Sequence, residues 1–301
     1  MSSAHHRDAD SEQMVAALEA TGAFRVLRRL TPRRSHPAAI GVPVRHGLIV
    51  DVETTGLAAA TDEIIELALL PFTYGLDGQV YEVLEGYGGL REPSLPLPAD
   101  ITQITGLTAR MLERQRLDDD AIDRLVKRAD LIIAHNAAFD RVFCERYRDV
   151  FATRPWACSM DEVPWRTGGF EGRGLSTIAA GHRLFFDGHR AMDDAQATLE
   201  VLSRVLPDTA TPALRALLDS ARRVTVRLWA IDAPFAKKDD LKARGYRWSS
   251  GEDGQPRAWR TDVTEDAADA EALYLTAHVL PAGVAPRRQR ITALDRYSLR
   301  G

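Results

Sequence analysis

Cysteine, lysine and long apolar runs are all scarce in this chain of 301 residues. The two cysteines, Cys144 and Cys158, are too few for a disulfide framework and lack a metal-ligand spacing, so we expect small buried residues in a reducing compartment. No apolar run reaches the roughly 20 residues needed to cross a bilayer, and residues 1–13 do not resemble a signal peptide. The sequence therefore predicts a cytoplasmic protein with no membrane contact.

An excess of positive charge is also missing. The chain carries 39 Lys and Arg residues against 43 Asp and Glu residues, for a formal net charge of -4, which excludes polyanion binding through overall charge alone. Only four residues are lysines, and three of them, Lys237, Lys238 and Lys242, lie close together. Hydrophobic residues at 45% and charged residues at 27% are typical of a globular protein with one large or two smaller domains.

Strands and helices are predicted to alternate between residues 47 and 206. Strand patterns cover residues 48–53, 64–74, 80–86 and 130–134, with a glycine-containing turn at 75–78. Helical patterns cover residues 108–114, 119–128, 137–147, 175–180 and 190–205. This order predicts an α/β domain whose mixed sheet begins with hairpin-linked strands.

Composition divides the chain into four predicted parts. Residues 1–46 are expected to form an N-terminal helical extension and linker, disordered over 1–13 and helical over 11–30 with an interruption at Gly22. Residues 47–206 are the α/β domain, and residues 207–223 a linker helix. Residues 224–301 are a small α+β C-terminal module with an arginine-containing tail.

Asp51 and Glu53 follow an apolar run and precede a Thr-Thr-Gly turn. Alternate residues of a strand point to the same face, so the two carboxylates are expected side by side. Like charges this close repel unless a cation lies between them, and Mg²⁺ or Mn²⁺ prefers oxygen ligands. A solvated strand edge is the alternative interpretation of this motif taken alone.

Two later segments carry further acids at the ends of elements. Asp140 is expected in the first turn of a helix that follows a buried strand, and Asp194 about one turn inside a helix that His189 precedes. Taken singly, Asp140 could be an acid favoured by the helix dipole, Asp194 a solvated residue, and His189 a surface or capping histidine. Together with the first motif they provide four carboxylates and one imidazole.

These segments resemble, in order, the three motifs of the DEDDh-type 3'-5' exonucleases, a family that includes the proofreading epsilon subunit of bacterial DNA polymerase III. They are Asp-x-Glu-Thr-Thr-Gly-Leu from residue 51, Ala-His-Asn-x-x-Phe-Asp from residue 134 and His-Arg-Ala-x-x-Asp-Ala from residue 189. The last pattern selects Asp194 rather than Asp193. The resemblance covers residues 47–206 and implies an RNase H-like fold, a mixed five-stranded sheet flanked by helices.

The resemblance also implies two divalent metal ions, Mg²⁺ or Mn²⁺, which stabilise the attacking and leaving oxygens of an in-line displacement. By similarity, Asp51 bridges both ions, while Glu53, Asp140 and Asp194 complete their ligand shells. His189 is then the general base that deprotonates the attacking water, a task for which an imidazole is suited.

The turn after the first two acids is expected to seat the terminal nucleotide. Gly56 allows backbone N–H groups to approach a nucleotide closely, and the resemblance implies that Leu57 wedges against a base. Phe139 lies near the second motif, where core packing is an equally good interpretation. The full set of candidate substrate-binding residues is Thr54, Thr55, Gly56, Leu57, Asn136 and Phe139.

Cations and aromatic residues alternate in the C-terminal module. Such interleaving suits single-stranded nucleic acid, through phosphate contacts and base stacking. The alternative is that the tryptophans fill a small core and the lysines solvate one face. The candidate nucleic-acid contacts are Lys237, Lys238, Lys242 and Arg247.

The sequence thus predicts a metal-dependent 3'-5' exonuclease that releases nucleoside monophosphates from single-stranded or frayed DNA 3' ends. An exoribonuclease of the same family is the near alternative, because the motifs contact phosphate and metal rather than the 2'-hydroxyl. A non-catalytic accessory protein that docks on a polymerase or repair complex is the alternative from another class. The filled catalytic positions argue against that last interpretation.

Overall fold

The computed structural model describes residues 2–251 and 255–300. The helices are α1 (Ser2–Ala20), α2 (Ala99–Thr105), α3 (Ala109–Leu112), α4 (Asp119–Arg128), α5 (Ala137–Tyr147), α6 (Ser159–Glu162), α7 (Leu175–Gly181), α8 (Ala191–Leu202), α9 (Ala213–Ala221), α10 (Lys238–Ala243) and α11 (Ala268–His278). The strands are β1 (Arg28–Arg29), β2 (Arg45–Thr54), β3 (Ile64–Tyr74), β4 (Val80–Val83), β5 (Tyr87–Leu90), β6 (Leu131–Ala134), β7 (Trp156–Cys158), β8 (Leu184–Phe185), β9 (Thr225–Ala230), β10 (Arg247–Trp248), β11 (Trp259–Thr264) and β12 (Arg287–Ile291).

The central sheet has the strand order β4-β3-β2-β6-β7, and β5 also pairs with β3. Strands β2 and β3 are antiparallel, whereas β2, β6 and β7 are parallel, so the predicted mixed α/β sheet is confirmed. Strands β4 and β5 lie along the same edge of β3, which places six strands in five positions.

The predicted strand over residues 80–86 is too long, because β4 ends at Val83 and a separate strand, β5, follows. Pro71 of β3 accepts a hydrogen bond from the N–H of Leu84 at 2.9 Å. Pro71 has no N–H to return, so the ladder cannot continue at this point.

Two layers of side chains cover the central sheet. Leu48 and Val50 of β2 belong to a cluster with α4 and α5, while Ile49 belongs to a cluster with α7, α8 and α9. Every residue of β3 is buried, as expected for a strand covered on both faces. This three-layer arrangement holds the ends of β2, α5 and α8 in fixed relation.

The N-terminal extension differs from the prediction. Residues 2–13 lie in α1 and are not disordered, and α1 ends at Ala20 instead of continuing to residue 30; Met1 is outside the described residues. No glycine or proline occurs between residues 2 and 20, so nothing in this stretch breaks a helix. Gly22, with φ of +72°, follows the helix end, and Arg28–Arg29 then pairs with β8.

The C-terminal module contains an antiparallel sheet of order β10-β11-β9-β12. Leu228, Trp259 and Leu275 share a core with residues of α10 and α11. The helix predicted near residues 214–223 is α9, whose buried side joins the core of the α/β domain. The four-part division of the chain itself stays a prediction. Within the described residues, none of the helices has the length and apolar character needed to cross a membrane.

The final segment, residues 292–300, lies against the α/β domain. The side chain of Arg141 on α5 is fully buried and donates hydrogen bonds to three backbone carbonyls of this segment. The acceptors are Ala293 at 3.2 Å, Leu294 at 2.6 Å and Arg296 at 2.6 Å. This contact fixes the C-terminal segment to the helix that also carries Asp140.

Candidate active site

Three carboxylates meet at the end of β2. Asp51 and Glu53 occupy alternate positions of this central strand, and Asp194 lies in the first turn of α8. One oxygen from each of the three lies within 4.8 Å of the others. The strand spacing expected from the sequence therefore does bring the first two acids together, and the packing of α8 adds the third.

Asp140 reaches the same region from α5. Its side chain is only 4% exposed, and its Oδ1 accepts a hydrogen bond from the N–H of Val52 at 3.2 Å. Val52 stands between Asp51 and Glu53, so this bond ties the fourth acid to the strand that carries the first two. Asp140 and Asp194 each occupy the first turn of a helix, where the helix dipole favours negative charge.

Burial and mutual repulsion raise the pKa of all four carboxyls. Burial, followed by the charges of Asp140 and Asp194, raises the pKa of Asp51 well above its ordinary range. Burial, followed by the neighbouring acids, raises the pKa of Glu53 to about 8. Burial also raises the pKa of Asp140 to about 7, and that of Asp194 above its ordinary range. The four groups resist ionising together unless a cation compensates them.

His189 precedes α8 on an exposed loop, as the sequence suggested. Its φ of +66° lies in the left-handed region, which is uncommon for a residue other than glycine and often occurs at functional sites. Asp194 accepts the N–H of Arg190, the residue after His189, at 3.1 Å, so the loop that carries the histidine lies against the carboxylates.

Glu66 and Arg190 form an ion pair that the sequence reasoning missed. The guanidinium of Arg190 donates to Glu66 from Nη2 at 2.9 Å and from Nε at 3.2 Å. Glu66 also accepts the N–H of Ala191 at 3.2 Å and is paired in register with Glu53. The pair therefore joins the start of α8 to the strand beside the acids. A glutamate inside the apolar run at residues 64–70 was the available signal, because a buried acid needs a partner.

Asp62 organises the turn after the acids, and it too was missed. Its carboxylate accepts the hydroxyl of Thr55 at 3.1 Å and the N–H of Ala58 at 2.8 Å. A Cβ on Gly56 would come within 2.5 Å of Asp62, so only glycine fits there. The resulting turn leaves Leu57 86% exposed.

The remaining candidate substrate residues differ in accessibility. Thr54 is buried, and its hydroxyl donates to the carbonyl of Gly56 at 2.6 Å. Asn136 is exposed, whereas Phe139 is half-buried and packs on Phe143 with ring centroids 4.8 Å apart. The side chains of Leu57 and Asn136 are thus free to meet a ligand, and those of Thr54 and Phe139 are occupied in the fold.

The donor set fits hard divalent cations. The cluster offers carboxylate oxygens only, without the thiolates that select softer metals. Asp140 accepts the N–H of Val52 and Asp194 that of Arg190, but within the described residues none of the four acids forms a salt bridge with a basic side chain. A bound cation would supply the compensating charge. Asp51, Glu53 and Asp194 are the nearest ligands, and Asp140 lies directly behind them.

Comparison with known proteins gives one family match. The model of the RNase T exonuclease family matches residues 48–202, about half of the chain. The matched region contains all four acids, His189, Glu66 and Arg190.

Similar sequences occur in PolC-type DNA polymerases III. The polymerase of Bacillus subtilis strain 168 is 30% identical over 174 residues, which cover 54% of this chain and 12% of that protein. The polymerase of Thermotoga petrophila is 30% identical over 166 residues, which cover 52% of this chain and 12% of that protein. The chain therefore spans about an eighth of the length of these curated relatives.

Similar solved structures have low identity. Exonuclease X in complex with 5' overhanging duplex DNA is 20% identical, covering 56% of this chain and 99% of that chain, with a TM-score of 0.40. A zinc-bound E. coli exonuclease I complex with single-stranded DNA is 16% identical, covering 73% and 63%, with a TM-score of 0.47.

Proposed function

Because the chain belongs to the RNase T exonuclease family, we propose that it is a metal-dependent 3'-5' exonuclease acting on single-stranded or frayed DNA ends. One observation carries this proposal: carboxylate oxygens of Asp51, Glu53 and Asp194 lie within 4.8 Å of one another, with Asp140 behind them. Partly buried acids at this spacing form a site for positive charge. A non-catalytic accessory protein would have no need to keep so costly a cluster.

The four carboxylates would hold two divalent ions, Mg²⁺ or Mn²⁺. When bound, such ions stabilise the charge that develops on the attacking and leaving oxygens of a phosphodiester. Asp51, Glu53 and Asp194 would hold the ions most directly, because one oxygen of each lies within 4.8 Å of the others.

His189 acts as the general base in this proposal. It accepts a proton from the attacking water, whose oxygen bonds to the terminal phosphorus while the bond from phosphorus to the 3' oxygen breaks. The released 3' oxygen of the shortened strand takes up a proton from solvent water. Its exposed position beside Asp194 gives a water and a strand end access to the imidazole. Arg190, held by Glu66, fixes the loop that carries it.

The turn at residues 54–57 would receive the terminal nucleotide. Gly56 leaves the backbone open to close approach, and the exposed Leu57 offers an apolar surface for the last base. Asn136 is a further exposed contact.

DNA is the proposed substrate because the similar sequences reported above are those of DNA polymerases. The catalytic groups would contact phosphate and metal, and the site offers no group assigned to a 2'-hydroxyl. RNA oligonucleotides are therefore assayed beside DNA in the experiment below. Association with a polymerase or a repair complex is part of the proposal for the cellular setting.

The deciding experiment uses DNA and RNA oligonucleotides labelled at the 5' end, incubated with Mg²⁺ or Mn²⁺. We expect a ladder that shortens from the 3' end of DNA and disappears with EDTA. Asp194→Asn should abolish it, while the adjacent exposed acid provides a matched control: Asp193→Asn should leave it intact. Equal loss in both variants, or shortening that survives EDTA, would contradict the mechanism. If RNA is shortened faster than DNA, RNA is the preferred substrate and the DNA assignment is wrong.

A further inference from the structure

One tryptophan of the five stands out in the C-terminal module. Trp248 is 50% exposed, although an indole is normally kept from water in a folded domain. The sheet core is already filled by Trp259, at 9% exposure, and does not require Trp248. The other four tryptophans are buried: Trp156, Trp165, Trp229 and Trp259.

Contacts between side chains connect Trp248, through Trp259 and two lysines, to a second exposed aromatic residue. Trp248 packs edge-on against Trp259 at 5.6 Å between ring centroids, and Nζ of Lys242 lies 6.0 Å from the Trp259 ring. Lys238 precedes Lys242 by one turn of α10, so both lie on one face of that helix. Nζ of Lys238 lies 4.5 Å from the ring of Phe235, which is 79% exposed.

Salt bridges within the described residues leave two cations of this row without an acidic partner. Among the described residues, neither Lys238 nor Lys242 forms a salt bridge, whereas Lys237 pairs with Asp240 and Arg244 pairs with Glu271. The structure thus separates cations committed to internal acids from two that are available to a ligand.

Arg247, a candidate from the sequence, lies elsewhere. It is adjacent to Trp248 in β10, and neighbouring strand residues point to opposite faces. The register pairs Arg247 with Arg260, while Trp248 pairs with Trp259.

We propose that Phe235, Lys238, Lys242 and Trp248 form a binding strip for single-stranded nucleic acid, with bases stacked on the two rings and phosphates on the two lysines. Two lysines without a salt bridge among the described residues lie between two exposed rings, so the row offers both phosphate contacts and stacking surfaces, the combination that single-stranded nucleic acid uses. A lipid headgroup would use the cations but not the rings. The inference rests on the proposed function, because the strand held here is the one whose 3' end is cut.

The test is binding of oligodeoxythymidylate in EDTA, which separates affinity from cleavage. Because Trp248 is the half-exposed tryptophan, stacking should quench the protein's fluorescence, and Trp248→Phe should remove most of that change. In anisotropy titrations, Trp248→Ala and Phe235→Ala should each weaken binding about tenfold. The double variant Lys238→Gln/Lys242→Gln should lower the slope of log affinity against log salt by roughly 1.4, or 0.7 for each phosphate contact.

Two substitutions serve as matched controls. Lys237→Gln removes a neighbouring lysine that already pairs with Asp240, and Leu273→Ala removes an exposed apolar side chain from α11. Both should leave affinity and quenching unchanged. The proposed binding strip would be wrong if Trp248→Ala left the affinity unaltered. It would also be wrong if Lys237→Gln lost as much affinity as the double variant.

The two proposals fail in different ways. If the oligonucleotide binds and quenches Trp248 but is never shortened with metal, the strip stands and the exonuclease proposal fails. If it is shortened while the strip variants bind as the parent does, the exonuclease stands and the strip fails. A parallel titration with oligouridylate distinguishes a DNA strand from an RNA strand as the preferred ligand.

Discussion

Helix α5 carries two acids in opposite electrostatic surroundings, the buried Asp140 and the half-buried Glu145. Asp140 in the first turn belongs to a cluster whose pKa values are all raised. Glu145, farther along the same helix, accepts hydrogen bonds from Arg141 at 2.6 Å, Ser298 at 2.7 Å and Arg300 at 2.9 Å. Burial alone would raise the pKa of Glu145, but these bonds lower it overall.

A second acid is neutralised in the same way at the joint between the C-terminal segment (residues 292–300) and the α/β domain. Glu162 accepts the guanidinium of Arg296 at 2.8 Å and the hydroxyl of Tyr297 at 3.1 Å. The C-terminal segment therefore brings its own cations to the acids of the α/β domain. Similar burial produces a stabilising contact where the chain supplies the cation, and a metal site where it does not.

Removing a carboxylate from the uncompensated cluster should have the largest effect on activity. We expect Asp51→Asn to lower kcat by more than the 10- to 100-fold that is typical of losing an outer-shell partner. It should also raise the Tm of the metal-free protein, because it removes a source of repulsion. Exonuclease assays and thermal melts in EDTA measure the two effects. A lower Tm together with full activity would mean that Asp51 is a structural residue.

Breaking the compensated joint should have the largest effect on stability. Arg141→Met leaves the carbonyls of Ala293, Leu294 and Arg296 without their donor and should cost about 3–5 kcal/mol of unfolding free energy. Arg300→Gln is the matched control: its side chain is half exposed, so the loss should stay below about 1 kcal/mol. Urea denaturation measures both, and equal losses would show that the joint does not depend on the buried guanidinium.

The ion pair of Glu66 and Arg190 combines features of both regions. Its acid has a basic partner, yet it lies next to the proposed catalytic acids. Glu66→Gln should lower kcat by about 10- to 100-fold, as expected for a residue that positions others, with little change in KM. Glu66→Asp should recover part of the activity. Steady-state kinetics on a DNA oligonucleotide measure this split, and a change confined to KM would mean that the pair acts in substrate binding.

The smallest expected effect is a pH dependence of the metal-free protein. A carboxyl with a raised pKa binds protons more tightly when folded, so it contributes stability at low pH and loses it as pH rises through its folded pKa. With Glu53 near 8 and Asp140 near 7, metal-free stability should fall between about pH 4 and pH 8. Saturating Mg²⁺ should reduce the fall. Denaturation at several pH values measures it, and a rise over this range would contradict the uncompensated cluster.

Much of the fold was predictable because its signals are local. The bounds of β3, α4 and α5 match the predicted ranges, since the apolar pattern that predicts each element lies within it. The disorder predicted for residues 1–13 and the single strand over 80–86 were wrong. The second error reflects one missing N–H at Pro71, whose effect depends on which strand lies beside it.

The residue types at the candidate site were also present in the sequence, because the acid spacing in β2 follows from the two-residue strand repeat. Which acids lack a partner could not be read there. Asp193 and Asp194 are neighbours, and the packing of α8 brings only Asp194 to the cluster, the residue that the family resemblance had selected.

The sequence by itself determined which residues could perform chemistry here and which short segments carry them, because strand and helix periodicity act over a few residues. Tertiary structure decided where the charges are balanced. Folding pairs Glu145 with Arg300 and Glu162 with Arg296, each more than 100 positions away along the chain. It also brings four acids into one site without such a partner: Asp51, Glu53, Asp140 and Asp194. That division has a physical cause, because the electrostatic energy of a buried charge depends on neighbours that only the folded chain brings together.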